Sequence, residues 1–206
     1  MLLISEMLKK RIFDIVFSFL GLVVLFPFML ATGLLVKISS RGPILFRQQR
    51  AGRYGVPFTI YKFRTMVPGH GGSSVSVMGE SRITSVGALL RKTKVDEFPE
   101  LWNILIGDMS FVGPRPDMPE YAKLLRGDKK EILSMRPGLT SPASIKYARE
   151  EEILAKTPDP QKHFDEVIWP DNMEMNLEYV RTRSFLGDIF LIFRTVFGVN
   201  GIKMNP

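Results

Sequence analysis

Ile15 to Val36 is a run of 22 residues without a charge, IVFSFLGLVVLFPFMLATGLLV. About 20 apolar residues are enough for a helix to cross a bilayer. The run is too long for the apolar core of a signal peptide, and no small-residue cleavage site follows it. Membrane contact is therefore expected, but its form is not settled by the run alone. Pro27 lies just past the middle, where it removes a helix hydrogen bond and favours a break. Both flanks are basic: Lys9, Lys10 and Arg11 precede the run, and Lys37, Arg41, Arg47, Arg50 and Arg53 follow it. Lys/Arg-rich flanks stay on the cytoplasmic side. Two basic flanks fit a segment that enters and returns, and an ordinary spanning helix with a tolerated proline fits the run equally well. Asp14, at the edge of the run, could pair with a flanking Arg or Lys.

Charge is distributed unevenly. Between Ile15 and Gly79 there is no acidic residue, while Lys37, Arg41, Arg47, Arg50, Arg53, Lys62 and Arg64 are basic; these seven equal the net charge of +7. Such a patch suits a polyanion: nucleic acid, anionic lipid or a phosphorylated substrate. The apolar run argues against nucleic acid, although Phe46, Tyr54, Tyr61 and Phe63 interleave with the basic residues. The chain has no cysteine, which excludes disulfides, a thiol nucleophile and Cys-type zinc or iron–sulfur sites. His70 and His163 are its two histidines, and it carries no HExxH, Walker A or GxGxxG motif.

The remaining chain reads as an α/β unit, mostly helical, in two parts: residues 1–40 as a membrane-embedded segment and 41–206 as a catalytic domain at the interface. Ile44–Arg47 and Phe58–Phe63 suit short strands. Pro68–Gly79 is a Gly/Ser-rich loop expected to be mobile. Ser85 could cap a helix over Val86–Lys92, and a second helix from near Asp96 should end at Gly107. Asp117–Met135 and Arg149–Lys156 read as helices. At the C-terminus, Phe185, Ile189, Phe190, Ile192, Phe193, Val196 and Phe197 form an apolar face, with Asp188 and Arg194 opposite. That helix suits a membrane interface, core packing or contact with a second copy of the chain.

The strongest candidates for chemistry are Asp96 and Glu97. Adjacent carboxylates at a helix start are commonly only caps and dipole partners. The same position also binds phosphate, and an ionised Asp can attack phosphorus to form an acyl phosphate. A neighbouring Glu can hold magnesium or move a proton. A diphosphate site needs cations, for which Arg91, Lys62, Arg64 and Arg115 are available. Arg115 stands between Pro114 and Pro116, which fix its direction, and Arg136 precedes Pro137-Gly138 in a comparable rigid turn.

These blocks together resemble the bacterial sugar transferases of the monotopic phosphoglycosyl transferase class. The matching elements are Lys9–Asp14, Pro27, Gly42–Gly52, Tyr61–Met66, Asp96-Glu97, Gly107–Pro116 and Arg136–Thr140. The resemblance implies a re-entrant helix broken near Pro27, on the cytoplasmic face of the bacterial inner membrane, with both termini cytoplasmic. It implies Mg²⁺-dependent transfer of a sugar 1-phosphate from a UDP-sugar to undecaprenyl phosphate, with release of UMP, as the first membrane step of glycoconjugate synthesis. Asp96 would be the nucleophile and Glu97 would support the metal or the acceptor's proton. Asp96 and Glu97 would be the metal ligands; Arg91, Lys62, Arg64, Arg115 and Arg136 would bind phosphates or substrate. The implied partners are donor, acceptor and an anionic bilayer, without nucleic acid. Two departures stand out. Phe26 precedes Pro27 where a serine is frequent, and Ser141–Ile145 departs from the usual pattern, which leaves the sugar open. The chain also looks like a minimal, single-domain member.

Overall fold

The computed structural model describes residues 2–68 and 77–198. Its first element, α1 (Leu2–Ser39), is 38 residues long and continues through Pro27 without leaving the helical state. At 1.5 Å per residue it spans about 57 Å. The helix interruption expected at Pro27 is therefore not seen: the lost N–H costs one bond, and the neighbouring turns hold the helix. Among the described residues, Glu6–Ser39 is long and apolar enough to cross a membrane.

Only one stripe of α1 is covered. Asp14, Ser18, Thr32 and Val36 are buried, and Leu22, Leu25 and Met29 are partly so. These positions recur every three or four residues, which is one face of a helix. The rest of α1 presents Phe17, Phe19, Val23, Val24, Phe26, Phe28, Leu30, Leu34 and Leu35 outward. A continuous apolar surface of this size marks a membrane or partner contact.

The covered stripe lies on two small cores. Strands β1 (Leu45–Ala51) and β2 (Pro57–Phe63) form an antiparallel hairpin, with Arg47 opposite Tyr61. Phe58 and Ile60 pack with Leu101, Ile104 and Met109, against Leu22 and Leu25. Phe63 and Leu90 pack with Val36. Helix α2 (Ser85–Thr93) is capped by Thr84, whose hydroxyl accepts from the Gly87 amide at 2.9 Å, rather than by Ser85. Helix α3 (Glu100–Ile106) ends at Gly107, which takes the left-handed conformation (φ 98°) that a side chain would resist. Strand β3 (Ser110–Val112) pairs in parallel with β4 (Gly138–Thr140).

The stretch read as one helix over Asp117–Met135 divides into α4 (Pro119–Ala122) and a 3-10 segment, Gly127–Ser134. Gly127 at positive φ interrupts any single helical run. Short helices α5 (Pro142–Lys146), α6 (Glu150–Leu154) and α7 (Pro160–His163) lead to α8 (Trp169–Thr182) and α9 (Phe185–Phe197). The periodicity of α8 was not among the expectations. Its Met173 and Leu177 build a core with Leu125 and Ile132. Residues 69–76, most of the Gly/Ser-rich loop with His70, lie outside the described residues.

Two acidic residues stand elsewhere than expected. Asp188 is buried, not on an outer polar face: Tyr179 Oη donates to its Oδ1 at 2.6 Å and Lys10 pairs with it. Asp14 accepts from Ser110 Oγ (3.1 Å) and the Phe111 amide (3.0 Å) instead of pairing with a basic flank. The phase of α1 explains both: it turns Asp14 inward onto β3 and leaves Lys10 facing α9. Leu191 of α9 is buried, while Leu186, Phe190, Phe193, Val196 and Phe197 are exposed. The apolar face thus serves the core on one side and stays open on the other.

Candidate active site

Helix α2 stops at Lys94, a non-glycine residue in the left-handed region (φ 58°), and the chain makes one tight 3-10 turn, Val95–Glu97, before α3. Val95 and Phe98 anchor this turn in the core around Phe63 and Leu90. The anchoring fixes Asp96 and Glu97 on a rigid corner between two helices. Asp96 is not an N-cap: Pro99 occupies that position of α3, and no side chain caps the helix there. The residue is 8% exposed, and its Oδ1 is buried with no hydrogen-bond partner among the described residues. A buried polar atom left unsatisfied costs about 1–3 kcal/mol, so its retention points to a role beyond structure.

The surrounding charges form a compact network. Lys62, on β2, places Nζ 2.9 Å from Glu97 Oε1 and 3.1 Å from Glu100 Oε1. Burial opposes the Lys62 charge, but Glu100 and Glu97 more than offset it and raise its pKa. Burial pushes Asp96 up, and the Glu97 charge adds to this, against Lys62, Lys94 and Arg91. Glu97 goes the other way: burial opposes its charge, yet Lys62 and Lys94 bring its pKa down. Glu100, 2% exposed, is pushed by burial up to about 7, despite Lys62. Neighbouring carboxylates with pKa values driven apart are the usual signature of divided roles.

The expected cations separate into two groups. Lys62, Arg91 and Arg115 act on the dyad. Arg91 donates through Nε to Thr65 Oγ1 (2.9 Å) and through Nη1 to Glu151 Oε1 (2.7 Å), and its charge reaches Asp96. Arg115 is felt by both Glu97 and Glu100. Its turn is held by Arg50, whose Nη1 donates to the Pro116 carbonyl (3.3 Å), and by the Ala51 amide, which donates to the Asp117 carbonyl (2.8 Å). Arg64 instead is buried under the end of α1, donating to the carbonyls of Val36 (3.3 Å) and Ser40 (2.7 Å). Arg136 donates to the Gly107 carbonyl (2.7 Å), at the far end of α3. Pro27 lies on the exposed face of α1.

Glu100, Arg50, Glu151 and Glu150, whose charge acts on Arg115, are the site residues that the sequence reading missed. Glu100 was legible in principle: it follows Glu97 by three residues and so shares its helical face. The others come from distant segments.

Asp96 and Glu97 are the residues of this corner that could hold a divalent cation. Mg²⁺ takes one or two carboxylates and completes its shell with phosphate and water. No cluster of three or more metal-binding side chains exists among the described residues. The unsatisfied Asp96 Oδ1 and the adjacent Glu97 nevertheless supply the hard oxygen donors such an ion requires.

Comparison with known proteins gives the family. The family model described as "Bacterial sugar transferase" matches residues 5–201. A UDP-glucose:undecaprenyl-phosphate glucose-1-phosphate transferase of Caulobacter vibrioides is 34% identical, over 92% of this chain and 68% of its own length. The protein of the same name from Escherichia coli is 36% identical, over 92% of this chain and 40% of its own. A UDP-N-acetylgalactosamine-undecaprenyl-phosphate N-acetylgalactosaminephosphotransferase of Aeromonas hydrophila is 31% identical, over 91% and 42%. The chain thus spans well under half the length of two of these three relatives. Because the family match extends over nearly every described residue, the dyad corner and α1 included, the chain belongs to the bacterial sugar transferases.

Proposed function

We propose that this chain moves a sugar 1-phosphate from a UDP-sugar to undecaprenyl phosphate and releases UMP. The observation that carries the reading is Asp96, a buried carboxylate with an unpartnered oxygen on a rigid corner, beside a Lys62-bridged pair of glutamates. Asp96 attacks the sugar-bearing phosphorus of the donor; the bond from that phosphorus to the bridging oxygen breaks, and UMP leaves. The phospho-sugar is then an acyl phosphate on Asp96. A phosphate oxygen of the lipid acceptor attacks the same phosphorus and frees the carboxylate. Arg91 and Arg115 bind the phosphates, and Lys62 keeps Glu97 ionised. Asp96 and Glu97 would hold Mg²⁺, which would supply charge neutralisation on the diphosphate.

The outward apolar face of α1 supports a membrane-embedded placement on the cytoplasmic face, with the unbroken helix laid along its own domain. Near its start, Arg11 donates to carbonyls of α3 (2.7 and 2.8 Å); at its end, Val36 and Ser40 are held by Arg64. Both ends rest on one domain, so they stay on one side of the bilayer. The relatives' names include glucose and N-acetylgalactosamine at similar identity, so the donor sugar is left to assay.

The test is UMP release by the full chain with Mg²⁺, undecaprenyl phosphate and a panel of UDP-sugars, beside Asp96→Asn. Release with one donor, abolished in the variant, is expected. Undiminished release by the variant would overturn the role of Asp96, and no release with any donor would overturn the reaction.

A further inference from the structure

Helix α3 has a second charged end. The dyad precedes its N-terminus, and about 10 Å away, seven residues at 1.5 Å each, its C-terminal carbonyls gather arginines. Arg11 donates through Nη1 and Nη2 to the carbonyls of Ile104 (2.7 Å) and Leu105 (2.8 Å). Arg136 donates through Nε to Gly107 (2.7 Å). Arg53 is not on α3's carbonyls but beside them: its Nε donates to Ser134 (2.8 Å), two residues before Arg136, and its charge acts on Arg136. Helix C-terminal carbonyls attract cations, and one guanidinium is enough to cap two of them.

This charge is poorly neutralised. Burial lowers the pKa of Arg136, and Arg11 and Arg53 lower it further; Asp14 is the carboxylate acting against them. That carboxylate already accepts from Ser110 and Phe111. Arg53 and Arg136 each use only Nε toward the protein, so their terminal amino groups have no hydrogen-bond partner among the described residues. Two such forks suit the oxygens of a phosphate. Tyr54, held at φ 60° in the left-handed region, lies under the Arg53 guanidinium at 4.6 Å and fixes its direction.

The depth of the cluster indicates the source of the phosphate. Arg11 borders the outward apolar surface of α1, flanked by exposed Leu8, Ile12 and Ile15. Ile106, on the adjoining turn of α3, is half-exposed. Basic residues bordering an apolar face sit at the headgroup level of a bilayer. We propose that Arg11, Arg53 and Arg136 form a second phosphate site, separate from the dyad, that holds the phosphodiester of an anionic membrane lipid and fixes the depth of the domain.

The site is tested with the full chain in detergent, by native mass spectrometry with phosphatidylglycerol and phosphatidylcholine. The wild type should retain phosphatidylglycerol about tenfold better, the worth of one or two charge-assisted bonds. Arg53→Gln/Arg136→Gln should lose that preference, and Arg41→Gln, an exposed charge elsewhere, should keep it. Equal retention of both lipids by the wild type would overturn the site whether or not the variant folds. So would a preference that survives the double substitution. Displacement of phosphatidylglycerol by millimolar inorganic phosphate, or by equimolar undecaprenyl phosphate, would assign the pocket to a free anion or to the acceptor and overturn the lipid proposal.

Discussion

Glu100→Gln should remove a pH-dependent destabilisation built into the dyad corner. The Glu100 carboxyl is almost completely buried and lies 3.1 Å from Lys62 Nζ, an ammonium it shares with Glu97. Its pKa stands at about 7 in the folded chain against an ordinary 4.5. At about 1.4 kcal/mol per tenfold, that difference is worth roughly 3 kcal/mol. The folded state holds the proton more tightly than the unfolded one. The stabilisation is therefore complete below pH 4.5 and is lost as pH rises through 7. Glutamine keeps the shape and polarity but does not titrate. Relative to wild type, Glu100→Gln should thus become more stable by roughly 3 kcal/mol between pH 5 and pH 8. For a chain of this size that corresponds to roughly 6–12 °C in Tm. Thermal unfolding in detergent with chelator, followed by Trp102 and Trp169 fluorescence, reads it directly. Parallel pH profiles for the two proteins would refute the reasoning, because they would show that Glu100 ionises in the folded state without cost.

Other outcomes follow from named contacts. Glu151→Gln removes the carboxylate that pairs with Arg91 at 2.7 Å; if the donor's phosphate competes for that guanidinium, the donor KM should fall roughly threefold, in line with a partly exposed pair, and a rise would show that Glu151 orients Arg91 instead. Gly87→Ala would place a Cβ 2.0 Å from the Thr65 carbonyl oxygen, on backbone that cannot yield cheaply, so it should lower stability by about 2–3 kcal/mol in a thermal melt. Asp14→Ala strips the acceptor from Ser110 and the Phe111 amide; the loss should be about 2 kcal/mol, and an unchanged Tm would show that water replaces it.

Much of this protein is written locally. The 22-residue uncharged run dictates a long helix with an outward apolar face, because a helix satisfies its backbone internally whatever its side chains meet. Gly107 ends α3 as expected, because only its missing Cβ makes φ 98° easy. The β1–β2 hairpin and the α9 face follow from alternation and helical period. Asp96 and Glu97 stand out from the sequence because a carboxylate pair at a helix start is chemically conspicuous.

Their environment is another matter. That Asp96 is not a cap is visible only once Pro99 is seen in the capping position and Oδ1 is seen without a partner among the described residues. Of five candidate cations, packing brings Lys62, Arg91 and Arg115 to the dyad. Arg64 it spends on the end of α1 and Arg136 on the end of α3. Residue type alone cannot make that division, since an arginine fits a helix C-terminus as well as a phosphate. Asp14 and Asp188 likewise turn inward because of the phase at which α1 meets β3 and α9. Residue chemistry and period are local and can be read from the chain. Which buried charge faces which depends on contacts across tens of residues, and only the tertiary structure decides it.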